Sequence, residues 1–197
     1  MALTKTPVCD FGKKAEDFKL KSIDNKVVTL NDIKGEKATL IMFICNHCPY
    51  VKAIIKDLAK DCIELRNDGI SSVAIMSNDT KNYPEDSFDQ MISFAKDNNF
   101  GDLEYLIDET QDIAKKYGAV CTPDFFGYNK NLELQYRGRL RELKNLVPVR
   151  EGESDLFKAM KQISETEKGL KIKYLVLDAV LSGKIINVFN RNKIFST

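Results

Sequence analysis

One histidine, His47, and one Cys-x-x-C pair, Cys45 and Cys48, serve the whole chain. A structural zinc site takes four ligands, often two such pairs or one pair with two histidines. The absence of a second pair and a second histidine therefore argues against one. Charge of one sign is not in excess, with 30 Lys and Arg against 29 Asp and Glu. No basic block stands out, which argues against nucleic acid as the main partner. No run is apolar enough to span a membrane; the stretch at 174–189 is broken by Asp178 and Lys184. Residues 1–7 lack an apolar core of signal-peptide length, so export by a cleaved signal is not expected. The five cysteines then read as reduced thiols of a cytoplasmic protein, not as a disulfide framework. Internal repeats and low-complexity segments are missing.

What is present centres on Cys45-Asn46-His47-Cys48-Pro49. The run before it, Ala38-Thr39-Leu40-Ile41-Met42-Phe43-Ile44, reads as a buried strand. After it, Val51, Ile54, Ile55, Leu58, Cys62 and Leu65 recur at helical spacing. The two thiols thus lie where a strand ends and a helix begins. Unpaired N–H groups and the positive end of the helix dipole stabilise a thiolate there. A C-x-x-C at that junction is the signature of a redox-active dithiol. The chain is 197 residues long and 43% hydrophobic, enough for one domain with a core.

Along the chain, residues 18–21 and 26–30 flank the turn pair Asp24-Asn25 as a short hairpin. The first helix is expected to stop at Asn67-Asp68-Gly69, where Gly69 takes a left-handed conformation. Strands are expected at 70–76 and 104–107, and helices at 85–98 and 109–117. Residues 125–128 and 132–137 form a hairpin across Asn129-Lys130-Asn131. Ser154 caps a last helix with Leu156, Phe157, Met160 and Ile163 on one face. Alternating strands and helices, closed by a hairpin and a helix, predict an α/β fold with helices on both faces of a sheet.

Several residues carry alternative meanings. His47 is either a solvated loop histidine or the group that stabilises the Cys45 thiolate; covalent proximity to the sulfur favours the second. Pro49 suits a first helical turn, and Tyr50 either covers the dithiol or packs. Pro123, in Cys121-Thr122-Pro123, is either a strand-start punctuator or a cis proline. Cys121 alone reads as a small buried residue. Cys62 belongs to the apolar stripe of the first helix.

These residues resemble the thioredoxin superfamily, and within it the AhpC/TSA-like and TlpA/ResA-like redoxins. The resemblance spans 15–163. Ala15-Glu16-Asp17-Phe18-Lys19-Leu20 looks like the opening hairpin of that family. The segment from Leu40 through Cys45-Asn46-His47-Cys48-Pro49-Tyr50-Val51 is similar to a peroxiredoxin-like subgroup that carries C-N-H-C-P. Tyr117-Gly118-Ala119-Val120-Cys121-Thr122-Pro123 resembles the segment bearing the family's cis proline, and Tyr136-Arg137-Gly138-Arg139 the end of the last strand. The resemblance implies a thioredoxin fold: a central mixed β-sheet flanked by helices, with an N-terminal β-hairpin extension. It also implies that Pro123 faces the dithiol, that the Thr122 backbone pairs with substrate, and that Cys121 sits near Cys45.

The chain departs from true peroxiredoxins. Their peroxidatic cysteine aligns with Cys48 and follows a Thr or Ser by three residues and a Pro by seven; here those positions hold Cys45 and Ile41. The tail departs too. Subgroup members close on a segment like P-S-I-G-C-S-I-K-W-K, which residues 168–184 do not match. One choice among the codons permitted for 168–184, read from the third base, spells G-P-K-N-Q-I-P-S-I-G-C-S-I-K-W-K, with two bases of most codons fixed. A frameshift near Lys168 is the expectation. The domain is then 1–168, and 169–197 is an atypical tail without selected structure.

The reading that follows is a thiol-disulfide oxidoreductase. Cys45, the more exposed and more acidic thiol, attacks a substrate disulfide. Cys48 resolves, His47 tunes Cys45, and Thr122, Pro123, Cys121 and Pro49 shape the substrate groove. The cysteine pair is the redox centre; no metal, flavin or nucleotide cofactor is implied. Partners are protein or small-molecule disulfides, or peroxides, and a reducing thiol system, without nucleic acid or membrane. One alternative is a thiol peroxidase with Cys48 peroxidatic and Cys45 resolving. Another is a metal-binding or redox-sensing module on Cys45, His47, Cys48 and Cys121.

Overall fold

The computed structural model describes residues 9–169, together with the backbone of two short strands at Leu3–Lys5 and Leu177–Val180. Element order is β1 (Leu3–Lys5), β2 (Lys19–Ser22), β3 (Val27–Thr29), β4 (Ala38–Phe43), α1 (Pro49–Asn67), β5 (Ile70–Met76), a 3₁₀ turn (Pro84–Asp86), α2 (Phe88–Asp97) and β6 (Glu104–Ile107). There follow α3 (Asp112–Tyr117), β7 (Cys121–Thr122), β8 (Asp124–Asn129), β9 (Leu134–Gly138), β10 (Leu143–Lys144), β11 (Val147–Pro148), α4 (Asp155–Thr166) and β12 (Leu177–Val180).

Seven strands form one mixed sheet in the order β3-β2-β6-β5-β4-β8-β9. β4 lies inside it, parallel to β5 and antiparallel to β8. All six β4 residues are buried, because both faces of the sheet are covered. Strand alternation sorts them. Leu40 and Met42 join the core that α1 and α4 close, while Ile41 and Phe43 join the core beneath α3. This is the expected mixed sheet flanked by helices, and the β2–β3 pair is the expected N-terminal hairpin.

Local signals set most boundaries. Asn25 takes the left-handed conformation at the first hairpin (φ 63°), and Gly69 does so after α1 (φ 77°). The Ser154 hydroxyl accepts from the Phe157 N–H at 2.9 Å and caps α4. Gly127 on β8 is where α4 approaches closely: an added Cβ would lie 2.6 Å from Met160 Sδ.

Two boundaries differ from the sequence reading. The helix expected over 85–98 is split. Pro84–Asp86 form a 3₁₀ turn, Ser87 is extended (ψ 158°), and α2 starts at Phe88. The cause is Asp86, whose carboxylate turns inward and is completely buried. The helix expected from 109 starts only at Asp112, because Gln111 is left-handed (φ 61°). Of the tail set apart at 169–197, Gly169 and β12 are described; the rest of that reading lies outside the described residues. β12 sits between β1 and β7 in a separate three-stranded sheet, with Ala179 opposite Thr122 and Val180 opposite Cys121. Among the described residues, no helix is long and apolar enough to cross a membrane.

Candidate active site

β4 delivers the chain to the middle of the sheet edge, and Cys45 follows it by two residues. Cys48 is the N-cap of α1 and Pro49 its first residue, where a missing N–H and a fixed φ suit the helix start. From across the sheet comes Thr122, joined to Pro123 by a cis peptide bond. Its hydroxyl lies 3.3 Å from Cys45 Sγ, and when Cys48 carries its proton the Thr122 carbonyl accepts from that thiol at 3.3 Å. One residue therefore touches both sulfurs. Thr122 thus stands against the dithiol, next to a cis bond.

The two thiols are not equivalent, and the difference runs against the sequence reading. The Cys45 thiol donates to the Cys48 sulfur, and this is the largest influence on Cys48, whose pKa is pulled down to about 6. Burial opposes the shift, while the N–H groups of Val51 and Tyr50 and the Thr122 side chain support it. The sulfur approaches those N–H groups without closing a full capping hydrogen bond. Cys45 moves the other way. Its donation to Cys48 holds its proton most strongly, followed by burial and the nearby negative charge of Asp86. This direction runs against the expectation that Cys45 is the more acidic thiol, and its physical cause is that the N–H groups at the helix terminus face Cys48. The expectation that Cys45 is the more exposed thiol fails as well: both sulfurs are buried, with Cys45 1% and Cys48 0% accessible.

His47 does not stand in solvent. Its Nδ1 lies 2.6 Å from Asp86 Oδ2, and its ring stacks on Tyr83 with centroids 4.5 Å apart. Asp86 is the organising group that sequence reasoning missed. Its Oδ1 accepts from the backbone N–H groups of Asn46 (2.8 Å) and His47 (3.2 Å). Its Oδ2 also accepts from Asn78 Nδ2 at 2.8 Å. Asn46 ties the same loop down further, donating to the Glu85 carbonyl and accepting from the Tyr105 hydroxyl, both at 2.9 Å. An acidic residue in a polar stretch reads as a solvated charge; only its burial shows otherwise.

Cys45, His47 and Asp86 offer a sulfur, a nitrogen and an oxygen within 4.8 Å of one another. Two ligands on one tetrahedral zinc, with bonds of roughly 2.0–2.1 Å, stand roughly 3.3 Å apart. The 2.6 Å contact of His47 with Asp86 is instead a hydrogen bond, and both Asp86 oxygens already accept two donors each. The set is hydrogen-bonded as it stands. Cys121 is fully buried beside Thr122. Behind the cis proline, buried Asp124 pairs with Arg137 at 2.8 Å. Arg137 also donates to the Gly118 carbonyl at 2.7 Å and lies over the Phe126 ring.

Comparison with known proteins places the chain among its relatives. The model of the AhpC/TSA family matches residues 11–142. An uncharacterized conserved protein from Geobacillus kaustophilus superposes with a TM-score of 0.88 and 34% identity, covering 93% of this chain and 97% of its own. A hypothetical protein from Sinorhizobium meliloti 1021 gives 0.83 and 30%, covering 90% and 97%. The thioredoxin domain of a thiol-disulfide oxidoreductase from Bacteroides vulgatus shares the fold, with a TM-score of 0.56, 16% identity and coverage of 70% and 91%. No curated protein matches.

Proposed function

The chain belongs to the AhpC/TSA family, a thioredoxin-fold oxidoreductase lineage, and from that premise we propose that it is a thiol-disulfide oxidoreductase working through Cys45 and Cys48. The observation that carries this reading is the convergence of both sulfurs on Thr122, beside cis Pro123. A dithiol that can close into a disulfide needs its sulfurs side by side, one ionised and one protonated. The Cys45 donation to Cys48 supplies that division. The reading assigns attack to Cys48, the sulfur at the helix terminus, and resolution to Cys45. This reverses the roles that spacing alone suggests.

In the first half-reaction the Cys48 thiolate attacks one sulfur of a substrate disulfide. A Cys48–substrate disulfide forms, the substrate S–S bond breaks, and one thiolate leaves. In the second, Cys45 loses its proton and attacks Cys48 Sγ. The Cys45–Cys48 disulfide forms and the second substrate thiolate leaves. The substrate gains two electrons and the dithiol loses two. A reducing thiol system returns the enzyme to its starting state, as in a cytoplasmic setting. Reduction of a protein disulfide such as insulin, lost in both Cys45→Ser and Cys48→Ser, tests the reading. Full turnover with either serine variant would overturn it.

A second reading has its own support. An acidic Cys48 also suits attack on peroxide, giving a sulfenic acid that Cys45 resolves with loss of water. Peroxide consumption faster than disulfide reduction at equal concentration would favour it.

A further inference from the structure

We propose that Asp86 and His47 form a proton-accepting pair for Cys45, with His47 as the base and Asp86 as its positioning residue. The inference rests on the dithiol reading above. Resolution requires a Cys45 thiolate, yet in the mixed disulfide Cys45 is still buried and a carboxylate still stands nearby, both of which hold its proton. A group that removes this proton during the second half-reaction is therefore needed, and the described residues contain one histidine.

The geometry selects the tautomer. A carboxylate oxygen only accepts, so the 2.6 Å contact with Asp86 Oδ2 places the ring proton on Nδ1. That leaves Nε2 as the ring nitrogen available to exchange a proton. The stack on Tyr83 fixes the ring plane. The His47 ring and Cys45 Sγ lie within 4.8 Å, a gap that one water or a small loop adjustment spans. Asp86 is itself immobilised by Asn46, Asn78 and the His47 backbone, so the ring is held by a fixed anchor. The other titratable groups around the pair are Cys48 at the head of α1, Tyr83 before the 3₁₀ turn and Tyr105 on β6. Thr122 faces Cys45 as a hydroxyl.

The step balances. The Cys45 S–H proton passes to Nε2, which gives an imidazolium hydrogen-bonded to Asp86. The Cys45 sulfur attacks Cys48 Sγ, and the departing substrate thiolate can take the proton from Nε2.

A single-turnover reaction with a nitrobenzoate aromatic disulfide separates the two half-reactions. The first coloured thiolate reports attack by Cys48, and the second reports closure by Cys45. In His47→Ala and in Asp86→Asn, the ratio of second-phase to first-phase rate should fall at least about tenfold near neutral pH, at the low end of general-base effects. The deficit should shrink as pH rises and hydroxide takes over. Added imidazole should restore the second phase in His47→Ala. Rescue needs a folded protein with an intact dithiol, so it separates lost base from lost structure. Both phases slowing together, a deficit independent of pH, or no response to imidazole would overturn the proposal. The underlying reading fails separately: if Cys48→Ser still gives the first release, or Cys45→Ser the second, the dithiol assignment is wrong whatever His47 does.

Discussion

Cys48 owes its acidity to a neighbour and a position, not to its own chemistry. With the Cys45 thiol donating to it and the first N–H groups of α1 nearby, its pKa is about 6, below the free-thiol value of about 8.5. Alkylation of the reduced protein should therefore inflect at about 6, and Cys48→Ser should abolish that inflection. An inflection carried by Cys45 would restore the opposite assignment of roles. A second residue-scale expectation concerns Asp124 and Arg137, 0% and 5% exposed. Breaking a buried pair leaves one charge uncompensated, at a cost of about 3–5 kcal/mol. Asp124→Ala should lower the urea midpoint accordingly, while replacing both partners by apolar residues of similar volume should restore much of it.

At the scale of elements, α1 and α4 divide the work. α1 presents its N-terminus to the dithiol and buries Val51, Ile54, Ile55, Leu58 and Leu65. α4 packs on β8 through Met160 and Ile163, which meet it at Gly127. The packing depends on Gly127, where an added Cβ would strike Met160 Sδ at 2.6 Å and Tyr136 Cβ at 3.0 Å. Gly127→Ala should cost about 1–3 kcal/mol, the range for overpacking. Ser154→Ala removes the α4 cap, worth about 0.5–2 kcal/mol, and also the 2.6 Å hydrogen bond to buried Asp61. Burial already raises the Asp61 pKa, and the Ser154 hydroxyl offsets part of that shift. The variant should therefore sit at the upper end of that range when thermal unfolding is followed.

For the whole molecule, the open question is what lies beyond the family core. β12 pairs with Cys121–Thr122, the backbone edge that the resemblance assigns to substrate. A chain ended after Gly169 should keep cooperative unfolding and dithiol chemistry, and Cys48 should alkylate faster once that edge is uncovered. Loss of cooperative unfolding would show that 170–197 belong to the domain. The frameshift reading has its own check in the encoding DNA. We propose that its codons over 168–184 yield the second reading, G-P-K-N-Q-I-P-S-I-G-C-S-I-K-W-K; codons that cannot yield it would end the idea.

The linear pattern determined the strand, the dithiol, the helix behind it and the class of chemistry, because strand and helix periodicity are local and a C-x-x-C needs only three bonds of spacing. It also placed Pro49 at N1 and Ser154 at a cap, since both act within one turn. Thr122 and Pro123 came from resemblance, because nothing within the chain relates position 122 to position 45 until β4 and β8 pair. Which thiol is favoured as the acidic one depends on tertiary structure alone. Spacing says that both lie near a helix start, but only packing shows which sulfur receives the N–H groups and which is left to donate. Asp86 was invisible for the same reason. Its sequence neighbours place it in the first turn of an expected helix, a solvated position, and burial by a loop forty residues away turns it into the anchor of His47. A carboxylate's role follows from what surrounds it, and the surroundings are long-range contacts.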